Sequence, residues 1–278
     1  MPSIAEQFVA ARRAARALPG YPGQIPEKLS DSYAIQEQAI RLWNRPVAGW
    51  KIGRLAPDKQ TLHGAERLAG PVFDTLCKPY DGDVEIPVFT GGFAAVEAEY
   101  VFRVGADADP DKTDYSEAEA LALVDGLFAG IEMAGSPLAT INALGPTVVV
   151  SDFGNNFGLI LGPRLMALTP DMPVAGFQDN ALTEWRAVTE IDGRVVGEGG
   201  LFTMPGGPLK AIGWLAGHLA ARGRPLKAGQ LITSGATTGI HDILAGQAAS
   251  VRFSQPGCAD VSLDLHTVAL DPQRPELA

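Results

Sequence analysis

From Val47 onward the chain breaks into short runs rich in Val, Ile, Phe and Ala, each closed by Gly, Pro, Asp or Asn. A chain punctuated in this way cannot run as long helices and has to fold as many short strands. The runs are VAGWKIG (47–53), GPVFDTL (70–76), DVEIPVF (83–89), FAAVEAEYVFRV (93–104), GLFAGIEMA (126–134), PTVVVSD (146–152) and FGLILG (157–162), with QLITSGA, AASVRF and VSLDL nearer the end. The 32 Gly and 21 Pro supply the turns, and a 46% hydrophobic content supplies a core.

Ahead of these runs the period is helical. Residues 4–18 repeat apolar positions at three and four and close on Pro19-Gly20. A second pattern, capped by Ser30 or Asp31, runs through Tyr33, Gln36, Ile40 and Trp43 to Pro46. The first twenty residues carry arginines but include Glu6 and lack a long apolar run and a cleavage signal, so they read as an amphipathic helix and not as a targeting segment. Asp192-Gly193 between two strand-like runs (183–196) predicts a hairpin. Residues 208–222, opening on Pro208 and ending before Gly223, predict a helix. The best boundary lies between Pro46 and Pro79. It divides an N-terminal helical α/β region, 1–75, from a β-rich metal-binding catalytic domain, 76–278.

With 32 acidic against 22 basic side chains the net charge is −10, which repels polyphosphate and argues against nucleic acid as a partner. The two cysteines, Cys77 and Cys258, form no CxxC and accompany no histidine cluster. That pattern indicates neither a disulfide framework nor a zinc site, and a reducing cytoplasm fits it best. No apolar run approaches the roughly 20 residues that cross a bilayer.

The chemistry centres on carboxylates. Strand alternation puts Glu97 and Glu99 of FAAVEAEYVFRV on one face, flanked by Ala95, Ala98, Val101 and Phe102. Such a pair is either a solvated outer face or a half-buried site that needs a cation. Glu132 lies inside GLFAGIEMAG with no local charge to pair with. Three carboxylates on one hard cation would answer that need, and an all-oxygen ligand set selects Mg²⁺ or Mn²⁺ over zinc. Lys51 of GWKIG is either a strand-edge residue or a functional ammonium. The loops SDFGNNFG (151–158) and TSGATTG (233–239) offer donors to a carboxylate or oxyanion, though the same compositions also make ordinary turns. His63 and Glu66 form an HxxE that reads as a general-base dyad or as a surface pair; His218, His241 and His266 show no metal-ligand spacing.

Taken in order, SYAIQ, GWKIG, EAE, IEMAGSP, the SDFGNN loop, IDGRVVGEGG and the long run from PLKAIGWLAGHLAAR to QLITSGA resemble the 2-keto-4-pentenoate hydratase family, within the fumarylacetoacetate hydrolase superfamily. The resemblance covers nearly the whole chain and resides in the ordered set. It implies an α+β fold, a mixed β-roll of the fumarylacetoacetate hydrolase type with a smaller helix-rich N-terminal region, in a homo-oligomer. It implies that Glu97, Glu99 and Glu132 hold Mg²⁺ or Mn²⁺ and that Lys51 moves a proton. Asp152, Asn156, Ser234 and Thr238 of the two loops are the candidate substrate-binding residues. The implied substrate is a small 2-oxo or 2-hydroxydienoic acid from aromatic-compound degradation, and the implied reaction is hydration. The alternatives are decarboxylation of a 2-oxo-3-enoate of the 4-oxalocrotonate type, C–C hydrolysis of an acylpyruvate through the His63/Glu66 pair, or non-catalytic binding of a 2-oxo acid. Against the family pattern, Leu68 of RLAG stands where an acid is expected, with Asp74 and the His63/Glu66 pair as the two candidate replacements. RLAPDKQ replaces a hydroxyl-rich stretch after GWKIG, and GGPL (206–209) replaces GHPL.

Overall fold

The computed structural model describes residues 1–82, 84–178 and 181–273; Asp83, which opens one of the expected runs, lies outside them. Two helices come first, α1 (Ile4–Arg13) and α2 (Leu29–Trp43), then β1 (Val47–Arg54), α3 (Pro57–His63) and β2 (Arg67–Phe73). The middle holds β3 (Cys77–Pro79), β4 (Val84–Val88), β5 (Phe93–Val104), α4 (Glu117–Ala122), β6 (Val124–Ser136), α5 (Pro146–Ser151) and β7 (Asn156–Ala167). The chain ends with β8 (Arg186–Ile191), β9 (Arg194–Gly200), α6 (Gly207–Ala221), β10 (Leu231–Thr233), β11 (His241–Asp242), β12 (Ala248–Ser254) and β13 (Val261–Ala269). Among the described residues no helix is long and apolar enough to cross a membrane.

Local chemistry explains most of these boundaries. A capping box starts α1: the Ser3 hydroxyl accepts from the Glu6 amide at 3.2 Å, and the Ser3 amide donates to the Glu6 carboxylate at 2.6 Å. The helix is shorter than its apolar period suggests, because Ala15 turns left-handed at φ 48°. α2 starts one turn-position early, from Lys28 with no side-chain cap, so neither Ser30 nor Asp31 caps it. Asp192 and Gly193, both at positive φ, make the expected hairpin between β8 and β9. The expected PTVVVSD strand is instead α5. Pro146 pre-sets the first helical turn after Gly145 at φ 99°, and packing against α2 overrides the β-branched run.

Two mixed sheets carry the fold. The larger runs β2-β1-β10-β5-β6-β7-β3, with β11 also pairing β5; the smaller runs β4-β13-β12-β8-β9. β5 and β6 form its long antiparallel spine, whereas β1 joins β10 in parallel. Thus β1 and β2, from the region expected to stand before residue 75, extend the sheet built by β5, β6 and β10. The main core includes Tyr100, Phe102, Leu127, Ile131, Leu215 and Phe253.

One buried ion pair ties the helical leader to this sheet. Arg12 of α1 meets Asp152 bidentately, at 2.6 Å from Nε and 2.9 Å from Nη2, and also donates to the carbonyls of Gly135 and Asn156. Its guanidinium lies 5.0 Å from the ring centroid of Phe153, and the Ser136 hydroxyl adds a 2.6 Å hydrogen bond to Asp152. Removing one member of a buried pair leaves an uncompensated charge, so Arg12→Met is expected to lower stability by about 3–5 kcal/mol in urea denaturation. Arg12→Met/Asp152→Leu should be less destabilised than Arg12→Met; a double variant at least as unstable as that single one would refute the account.

Candidate metal centre and cavity

The spine brings the glutamates together by register. Glu97 of β5 lies directly opposite Glu132 of β6, and Glu99 follows two residues on. Period-two alternation and direct cross-strand pairing place all three on one face. Their carboxylates offer oxygens that lie within 4.8 Å of one another, and all three residues are buried. By the same alternation this face continues into Val101, Phe128, Leu159, Leu231 and Val72, an apolar cluster that keeps water from one flank.

Lys51 reaches the cluster from β1. Its Nζ lies 2.8 Å from Glu132 Oε1 and donates to Asn155 Oδ1 at 2.8 Å. Further donors fix the carboxylates. Thr233 Oγ1 donates to Glu132 at 2.9 Å and Asn156 Nδ2 at 3.1 Å, while the Gly235 amide donates to Glu99 at 2.6 Å and Ser234 Oγ at 3.3 Å. One oxygen each of Glu97 and Glu99 is sealed from solvent with no hydrogen-bond partner. Burial pushes the Glu97 carboxyl up to about 7, with Lys51 opposing and Glu132 reinforcing the shift. Burial and the repulsion of its two neighbours also raise Glu99. For Lys51, burial alone favours the neutral amine, but the attraction of Glu132, Glu97 and Glu99 outweighs it and the ammonium is held. Three ionised carboxylates against one ammonium leave two negative charges in a buried site, and two of the buried carboxylate oxygens have no hydrogen-bond partner. A divalent cation with oxygen preference fits both the charge and the donor set.

Asn155 is held by an unusual turn. Phe153, Gly154 and Asn155 all have positive φ, at 57°, 65° and 56°. The turn passes so close to β2 that a Cβ on Gly70 would stand 2.2 Å from the Phe153 carbonyl oxygen. Asn155 then donates to Asn142 at 3.0 Å while accepting from Lys51. The site opens into a cavity of about 570 Å³ lined by Lys51, Glu97, Asn155 and Ser234, with Leu68, Val149 and Met204 among its apolar walls.

Of the residues expected at the site, Lys51, Glu97, Glu99 and Glu132 converge, and Asn156 and Ser234 bond to the glutamates. Asp152 is instead consumed by Arg12 and Ser136, and Thr238 by Thr189 and His241; neither lines the cavity. Leu68 is a cavity wall, and Asp74 is exposed and away from it, so Asp74 does not replace the missing acid. α3 ends at His63, Gly64 turns left-handed at φ 62°, and Glu66 pairs with Arg67; the HxxE therefore shares no helical turn and makes no dyad over the cluster. Asn155, Thr233, Asn142 and Arg12 were not expected. The SDFGNN and TSGA motifs flagged the loops that carry Asn155 and Thr233, but only the left-handed turn decides that Asn155, and not Asn156, meets Lys51.

No family model matches the chain. It is 29% identical over 214 residues to a 2-keto-4-pentenoate hydratase of Paraburkholderia xenovorans, covering 75% of this chain and 74% of the relative. It is 28% identical over 234 residues to the TodF product hydratase of Pseudomonas putida, covering 82% of each. The chain is thus similar to 2-keto-4-pentenoate hydratases over about three quarters of its length or more. Among solved structures, the 4-oxalocrotonate decarboxylase of Pseudomonas putida G7 with magnesium and adipate superposes with a TM-score of 0.75 at 23% identity, over 95% of this chain and 96% of that one. Fumarylpyruvate hydrolase of Pseudomonas aeruginosa with Mn²⁺ and pyruvate gives 0.54 at 13% identity, over 81% and 91%. These likenesses show an α+β fold of the fumarylacetoacetate hydrolase type.

The approach of β2 to the 153–155 turn is a tight steric constraint. Gly70→Ala is expected to lower stability by about 1–3 kcal/mol, the usual cost of forcing extra volume into a packed site. Gly20→Ala, where a Cβ meets nothing within 4 Å, should stay within about 0.5 kcal/mol of wild type. Equal stability of the two variants in urea would remove the constraint.

Proposed function

We propose that this protein is a divalent-metal-dependent hydratase that adds water to a 2-hydroxy-2,4-dienoate, a reaction of aromatic-compound degradation. The observation that carries the reading is the buried Glu97, Glu99 and Glu132 cluster with two orphaned oxygens beside Lys51, at the floor of a cavity. The curated relatives, named as 2-keto-4-pentenoate hydratases, give the reaction class. In this reading the three glutamates hold Mg²⁺ or Mn²⁺, and the bound ion supplies a Lewis acid for a chelating 2-oxo acid. Asn156 and Ser234 act through the glutamates by fixing their oxygens.

Lys51 holds the proton. Its ammonium is kept charged by the carboxylates and aimed by Asn155, so it can deliver a proton to substrate carbon and recover it after water has added. The neutral donors around the cavity orient the incoming water, and the apolar walls keep other water away. A second reading, decarboxylation of a 2-oxo-3-enoate, is favoured by one feature: Leu68 is a cavity wall where the family pattern has an acid. An apolar wall suits release of neutral carbon dioxide better than retention of a nucleophilic water.

Calorimetric titration with Mg²⁺ is expected to show one site in wild type, strongly weakened in Glu132→Gln. Lys51→Met should still bind the ion while turnover falls by about 10² or more; unchanged turnover would remove Lys51 from the chemistry. The reaction itself is settled by NMR of products from 2-hydroxypenta-2,4-dienoate and from 2-oxo-3-hexenedioate with Mg²⁺ present. We expect 4-hydroxy-2-oxopentanoate from the first. Carbon dioxide from the second without any hydration of the first would establish the decarboxylase instead.

A further inference from the structure

The cavity carries charge of the opposite sign to the protein. In a chain of net charge −10, its charged lining comprises four cations, Lys51, Arg54, Lys59 and Arg67, and a single carboxylate, Glu97. Lys51 belongs to the glutamate cluster. Of the other three, Lys59 meets only its neighbour Asp58, in an exposed pair at 3.6 Å.

Arg67 is the informative one, because it is buried. Its side chain is 8% exposed, yet its ion-pair partner Glu66, at 2.8 Å, is 57% exposed. A pair with one solvated member contributes little and does not offset the desolvation of a guanidinium. Its other polar contact among the described residues is a weak 3.4 Å hydrogen bond to the Pro205 carbonyl, so two of its five N–H donors are engaged. Among the described residues its Nε donates to no partner, and Arg67 lines the cavity. A second observation is independent of burial. Arg54 and Arg67 are direct cross-strand partners in the β1·β2 register. Like charges placed opposite one another destabilise a strand pair unless an anion lies between or beside them. Arg54 has no carboxylate partner among the described residues.

We infer that Arg67, assisted by Arg54 and Lys59, is a specificity-determining residue that takes a second, distal carboxylate of the substrate. The preferred substrate is then a dicarboxylate: a 2-oxo or 2-hydroxydienoic acid whose far end is also anionic, with its hydrocarbon against Leu68 and Met204. Arg67 stands next to Leu68, an apolar wall of the same cavity. The inference rests on the reading that a 2-oxo acid is chelated at the glutamate cluster.

The test is calorimetric binding to the Mg²⁺-loaded protein of three probes: oxalate, which has the chelating head alone; 2-oxohexanoate, with a neutral tail; and 2-oxoadipate, of the same length with a distal carboxylate. Wild type is expected to bind 2-oxoadipate about tenfold or more tighter than 2-oxohexanoate, the scale of a charge-assisted hydrogen bond. Arg67→Met should bring the two within about twofold while 2-oxohexanoate and oxalate bind as before. Should that variant not fold, Arg67→Gln makes the same comparison. Equal affinity of the two 2-oxo acids for wild type, or a preference that survives loss of the guanidinium, overturns the inference while oxalate binding leaves the chelation reading standing. Failure of all three probes to bind the loaded protein overturns both.

Discussion

The feature on which the molecule turns is an excess of buried negative charge. Three carboxylates and one ammonium share a dry site between β5, β6 and β1, and no arrangement of these four groups alone is neutral. Proton uptake is one answer, and the upward shifts at Glu97 and Glu99 are its signature in the ion-free chain. A divalent cation is the other, and it also satisfies the two oxygens that hydrogen bonding leaves orphaned. The chain has arranged donors for both oxygens of Glu132, from Thr233 and Asn156, and for one of Glu99, from Ser234 and the Gly235 amide, while one buried oxygen each of Glu97 and Glu99 goes without a partner. Selective satisfaction of this kind separates a metal centre from a poorly packed acidic cluster.

Much of the fold serves to hold that imbalance in place. Direct opposition of Glu97 and Glu132 is a consequence of the β5·β6 register, and a one-residue slip would turn Glu97 and Glu99 to the other face. The 153–155 turn is equally constrained. It is pressed on one side by Gly70 of β2 and pinned on the other by the Arg12–Asp152 pair, so the helical leader acts on the site through the loop that carries Asn155. Asp152 thus works as the anchor of a loop and not as a group that meets substrate.

This division explains what could be read from the residues alone. Alternation in FAAVEAEYVFRV places Glu97 and Glu99 together, and the lack of any local partner for Glu132 points to the same centre; both are properties of single strands and were legible. Lys51 was ambiguous because its role depends on β1 joining β10, a contact between segments distant in sequence. Asn155 was not legible, and Asp152 was read as a substrate-binding residue, for a related reason. Three successive left-handed residues break the alternation that would otherwise rank the SDFGNN side chains, and the pairing of Asp152 with Arg12 spans most of the distance from one end of α1 to the start of β7. PTVVVSD failed differently: propensity favours a strand, but Pro146 after the left-handed Gly145 starts a helical turn and α2 offers it a packing partner.

The same logic of unbalanced charge extends from the floor of the cavity to its wall. At the floor, carboxylates outnumber cations and the chemistry calls for a metal ion. On the wall, cations outnumber carboxylates, and Arg67 is buried against a partner too exposed to justify its desolvation. An anionic ligand that bridges a cation centre and a guanidinium relieves both imbalances at once, because each end of it meets a group that the protein alone leaves underpaired. Leu68 and Met204 supply apolar wall beside Arg67, a lining that suits a longer substrate anionic at both ends.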